Sequence, residues 1–109
     1  MYVLNGNEYE SVHDLILAVE RHIWDNEEEM QERMDKEYEE LDDPIEIYGC
    51  KHFPIELLKA VNQTEYRCVF LDWADYQMKE LEHEVIRMKP KDQIERCGLK
   101  VIMTSQEEA

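Results

Sequence analysis

Three short patterns in this 109-residue chain have the residue types and spacing that metal or proton chemistry uses. Glu80-x-x-His83 has the spacing with which a helix offers a carboxylate and an imidazole to a carboxylate-bridged di-iron centre, and Glu10-x-x-His13 repeats it. Such a centre needs both copies inside helices and two further inward carboxylates, whereas Glu10 lies ahead of the expected cap at Ser11. A chance match among 27 acids and four histidines is the better account. Cys50-Lys51-His52 sets a thiol and an imidazole on the same side of a strand, without the second ligand pair that a closed four-ligand site requires. There is no Gly-rich phosphate loop, GxSxG, HExxH or HxE followed by PCxxC, and three glycines leave no room for a phosphate cradle. The sequence therefore predicts a non-enzyme with no catalytic residue, no metal site and no cofactor.

The strongest pattern is acidic. Asp25 to Asp43 holds eleven acids and two bases in nineteen residues. Within it Met30, Met34, Tyr38 and Leu41 recur at steps of four, four and three, which at about 100° per residue gathers them on one face of a helix that can be buried. Glu28, Glu32, Asp35, Glu39 and Asp42 fall on the opposite side as a carboxylate stripe, and these five are the candidate partner-binding residues. Arg33 and Lys36 follow Glu29 and Glu32 by four positions and neutralise one flank. Glu28, Asp35, Glu39 and Asp42 have no base four positions away, so they are expected to face outward unpaired.

A charged helix face is more often a solvated surface than a site. The balance of the whole chain argues for recognition. A net charge of −15 and a pI near 4.5 repel nucleic acid and anionic membranes alike, and steer the chain toward a basic partner. Large basic clefts are commonest on proteins that handle nucleic acid. Helix-surface neighbours lie about 5–6 Å apart, comparable to the separation of successive phosphates along a strand. Asp72, Asp75, Glu80, Glu82 and Glu84 form a second acidic group that extends such a surface.

The elements that carry these residues read as follows. Asn5-Gly6 between Tyr2-Val3-Leu4 and Tyr9 is a hairpin turn. Ser11, with Asp14 three residues later, caps a helix whose stripe is Val12, Leu15, Ile16, Val19 and Ile23. At Asp25-Asn26 the acidic helix is either separate or a continuation. Asp42-Asp43-Pro44 ends it, a strand runs from Ile45 to Gly49, and Pro54 starts a short helix with Ile55, Leu58 and Val61 inward. Thr64 caps a long helix in which Tyr66, Phe70, Trp73, Gln77, Leu81, Val85 and Met88 form the core stripe. Arg87 to Lys100 reads as a base-rich helix end and loop, Leu99 to Met103 as the last strand, and Ser105 to Ala109 as a frayed tail. The expected fold is one α+β domain spanning residues 1–109, a small mostly antiparallel sheet packed by two long helices and a short one. The sheet is expected to combine the opening hairpin, Ile45 to Gly49 and Leu99 to Met103.

Cys50, Cys68 and Cys97 are odd in number and widely spaced, MYVLNGNEYE has no basic run followed by an apolar one, and no window approaches a membrane span. Reduced thiols in a host cytoplasm are the expectation.

The opening YVLNGNEYESVHDLI and the later PIEIYGCKHFPIELLKAVNQTEYRCVFLDWADY resemble a pattern of small phage and mobile-element proteins. In size and acidity the chain is similar to anti-defence inhibitors of the anti-CRISPR, DNA-mimic type. The resemblance carries no catalytic signature. It implies an inhibitor that blocks a basic cleft of a CRISPR or other defence nuclease, or of another DNA-processing protein, while the net charge argues against binding of nucleic acid or membrane by the chain itself. The competing reading is a structural or adaptor protein that forms a homodimer through the Met30, Met34 and Tyr38 face.

Overall fold

The computed structural model describes residues 1–104; the tail Ser105 to Ala109 lies outside the described residues. Strands β1 (Tyr2–Leu4) and β2 (Asn7–Tyr9) are followed by helices α1 (Val12–Asp25) and α2 (Glu27–Leu41). Strands β3 (Ile45–Ile47) and β4 (Cys50–His52) come next, then helices α3 (Pro54–Val61) and α4 (Gln63–Ile86), and finally strands β5 (Gln93–Arg96) and β6 (Leu99–Met103). The class is α+β, and the chain divides into two compact units, Met1–Asp25 with residues 75–104, and Asn26–Ala74.

The first unit is built on an antiparallel sheet in the order β2-β1-β6-β5. Leu4 is paired with Val101, and both are buried with Leu99; Leu15, Val19 and Ile23 of α1, which packs on β1 and β2, are buried too, as are Leu81 and Val85 of α4. The β6 pattern of buried and exposed residues alternates with period two, as a half-buried strand requires. Ser11 accepts the Asp14 N–H at 3.1 Å and so satisfies one of the free donors at the start of α1.

In the second unit α2, α3 and the first half of α4 enclose Met30, Met34, Ile55, Tyr66, Phe70, Trp73 and Ala74, all buried. The Phe70 and Trp73 rings stack with centroids 5.9 Å apart. The whole predicted α4 stripe is buried, from Tyr66 through Gln77 to Val85, with Met88 just beyond the helix end.

Several expectations are corrected. The strand beginning at Ile45 does not join the main sheet: it turns back at Tyr48-Gly49 and pairs with β4, Ile45 opposite His52 and Ile47 opposite Cys50. The place beside β6 goes to β5, inside the segment read as a basic loop. One device explains both. Asn5-Gly6, Tyr48-Gly49 and Cys97-Gly98 all have positive φ at both residues, with Asn5 at 50°, Tyr48 at 48° and Cys97 at 57°, the backbone of a tight two-residue hairpin turn. Only the first pair has the Asn-Gly composition that announces such a turn. Tyr48 and Cys97 adopt the left-handed region at a cost of about 1–2 kcal/mol each, offset by closing a hairpin.

The chain breaks between α1 and α2 at Asn26, whose φ of −126° and ψ of 44° are not helical. Leu41 and Val61, expected on packing faces, are exposed because each is the last residue of its helix. Asn62, not Thr64, caps α4: its Oδ1 accepts the Glu65 N–H at 3.1 Å, while its own N–H closes α3 onto the Leu58 carbonyl. Asn62→Ala is therefore expected to destabilise the chain by about 1 kcal/mol and Thr64→Ala by less than about 0.5 kcal/mol, read as urea midpoints.

Candidate functional site

The acidic helix α2 is positioned by its two methionines. Met30 and Met34, one turn apart, are fully buried within the single chain, and Tyr38 half-buried, so the face that a homodimer reading requires is already occupied by the protein's own core. Three acids in its first turn, Glu27, Glu28 and Glu29, favour the helix N-terminus by opposing its dipole.

Asp35 does not face outward. It accepts a hydrogen bond from the Tyr66 hydroxyl at 2.7 Å, and the Lys59 ammonium lies 3.8 Å from its other oxygen and 5.3 Å from the Tyr66 ring centre. Glu27 binds the Arg67 guanidinium, and Glu37 accepts the Trp73 indole N–H at 2.6 Å. The reason is geometric. α2 lies against both α3 and α4, so the arc it contributes is wider than its apolar stripe, and the flanking acids meet donors on the neighbouring helices. Burial, then the hydrogen bond to Asp35 and its charge, push the Tyr66 hydroxyl well above the usual tyrosine value of 10.

What remains outward is a shifted set. Glu28, Glu32 and Asp42 are exposed as expected, and Glu39 is half-buried. Glu29, Glu40 and Asp43 are exposed as well, although the opposite-face pattern left them out. Arg33 and Lys36 share this surface, but among the described residues no ion pair joins them to Glu29 or Glu32. The second acidic group is partly neutralised: Lys79 binds Asp75 at 2.9 Å, a hydrogen bond and charge that raise the lysine's pKa, and Arg96 binds Glu84 at 2.6 Å.

The catalytic patterns are also placed. Cys50 and His52 stand on one side of β4, with Cys50 exposed. Glu80 and His83 line an open groove of about 520 Å³ with Arg87 and Asp92, and Glu10 and His13 are exposed. Among the described residues, no three His, Cys, Asp or Glu side chains are grouped so as to hold a metal ion. A polar network that the periodicity hides sits at Gln77, which is buried in the core stripe and accepts from Arg96 Nη1 at 2.6 Å while Arg96 Nη2 reaches Glu84. It fixes β5 onto α4, and Arg96 Nε is buried with no hydrogen-bond partner among the described residues.

The chain matches no protein-family model, no curated protein and no solved structure.

Tyr66→Phe separates the structural acids from the exposed ones. It removes the donor to Asp35 and is expected to cost about 1.5–3 kcal/mol at neutral pH, the range for a hydrogen bond to a charged group. Because folding raises the tyrosine pKa, its stabilising contribution is complete below pH 10 and is lost as pH rises through the folded value. Wild-type stability should fall more steeply above pH 10 than that of Tyr66→Phe in urea titrations across that range. Parallel alkaline profiles would remove the Tyr66–Asp35 bond from the account.

Proposed function

We propose that this chain is a non-enzymatic inhibitor that lays an acidic helix face into the basic nucleic-acid-binding cleft of a host protein, a defence nuclease of the CRISPR type or another DNA-processing protein, in the host cytoplasm. One observation carries the reading: after the internal bonds of Glu27, Asp35 and Glu37 are set aside, α2 and its end still turn Glu28, Glu29, Glu32, Glu40 and Asp42 to solvent, in a chain of net charge −15. Glu28 and Glu32 lie one helical turn apart, about 5–6 Å, on a helix anchored by Met30 and Met34. The charges are thus held on a rigid element, as an imitation of a phosphate backbone requires. No described helix is long and apolar enough to cross a membrane.

The test is capture from host lysate on the immobilised full chain, followed by a salt step. The expected result is a nucleic-acid-binding protein that is retained at low salt, released at high salt, and blocked from binding DNA by the free chain. Retention only of salt-insensitive proteins with no nucleic-acid site would overturn the reading.

A further inference from the structure

Among the described residues the β3–β4 hairpin pairs with no other strand, and its apolar side chains are partly or fully exposed. Ile45 and Ile47 share one face of β3 at 45% and 42% exposure, Tyr48 at the tip is fully exposed at 102%, and Leu41 upstream is 77% exposed. A two-stranded hairpin is marginal in water, and an uncovered apolar strand is a liability that folded proteins usually blunt. Tyr48 is more informative still. With φ at 48°, it occupies the first turn position, where Asn, Asp or Gly fit best, and among the described residues nothing covers its ring.

The residues beside this face are acidic. Asp42 and Asp43 lead into the strand exposed, and Glu46 stands on the reverse face opposite Lys51. We infer that the hairpin tip is the anchor of the inhibitory interface, with Tyr48 and Ile47 entering an apolar pocket rimmed by Lys or Arg on the partner protein. This rests on the inhibitor reading above and adds a second contact to it. Charge decides the occupant. A second copy would bring the same net −15 and the same Asp42 and Asp43 to the contact, whereas a basic rim complements them. The two surfaces then divide the work: solvated acids on α2 accelerate association from a distance, and a desolvated aromatic anchor slows dissociation.

The probe is the purified protein that the immobilised chain retains at low salt and releases at high salt. Tyr48→Asn suits the left-handed turn better than the native residue, so folding is preserved, and Ile47→Thr keeps a β-branched side chain in the strand. Both variants should associate at the wild-type rate with the wild-type salt dependence, and dissociate faster by about tenfold or more. Wild-type dissociation of both variants overturns the anchor while leaving the acidic reading intact. Loss of association in an α2 charge variant, with dissociation unchanged, supports the acidic reading separately. If no salt-released protein is found, both proposals fall. A doubled mass in light scattering that reverts to monomer in Tyr48→Asn would assign the hairpin to self-association and overturn the anchor.

Discussion

Met34→Asp should unfold the second unit or bring it to the edge of unfolding, with a loss of about 3–5 kcal/mol. Met34 is fully buried on α2, one turn from Met30, in a core that includes Phe70 and Trp73. Truncating a buried methionine alone costs about 2–5 kcal/mol, and a carboxylate placed there must either be desolvated without a partner or take up a proton. Leu41→Asp makes the control. Leu41 belongs to the same sequence stripe but is exposed, so the change is expected to fall within about 0.5 kcal/mol. Urea denaturation followed by circular dichroism compares the two. Equal effects would mean that α2 is rotated from the orientation described.

The contrast between Met34 and Leu41 shows how far periodicity reaches. It assigns a face correctly wherever a helix is flanked by other elements along its length, which is why Tyr66, Phe70, Trp73, Gln77, Leu81 and Val85 are all buried as the spacing of α4 implies. It fails at helix ends, because the chain departs and no neighbour covers the last residue. The strands followed the same logic. Asn5-Gly6 announces its hairpin by composition, whereas Tyr48-Gly49 and Cys97-Gly98 make equivalent turns with first residues that carry no such signal. Strands β4 and β5 were therefore hidden behind a thiol motif and a basic run. In the candidate site, Glu28, Glu32 and Asp42 were legible as exposed acids. Asp35 was not, since its partners Tyr66 and Lys59 lie 31 and 24 positions away and nothing in local spacing joins them.

Removing four exposed charges should change recognition with little effect on folding. In the variant Glu28→Gln, Glu32→Gln, Glu40→Gln and Asp42→Asn, shape is retained and the bonds of Glu27, Asp35 and Glu37 to the neighbouring helices are left intact. A small loss of helix-dipole stabilisation at Glu28, about 0.3–1 kcal/mol, is the main expected cost. Association with the salt-released partner should slow by about tenfold or more at low salt, and the difference from wild type should shrink as salt rises. Asp35→Asn behaves in the opposite way, weakening the bond to Tyr66 and the attraction of Lys59 and so reducing stability, with only a minor effect on the association rate. Stopped-flow association and urea midpoints on both proteins separate these outcomes. A slow Asp35→Asn beside a fast fourfold variant would place the contact on the other flank of α2.

The central claim is that the acidic face occupies the place of nucleic acid. It is tested most directly by titrating duplex DNA into the labelled complex of this chain with its salt-released partner and following anisotropy of the label. If the claim holds, DNA displaces the chain to its free anisotropy, and the concentration required rises in proportion to the chain present. If DNA binds while the chain stays on the partner, the two do not share a cleft and the inhibitor reading fails.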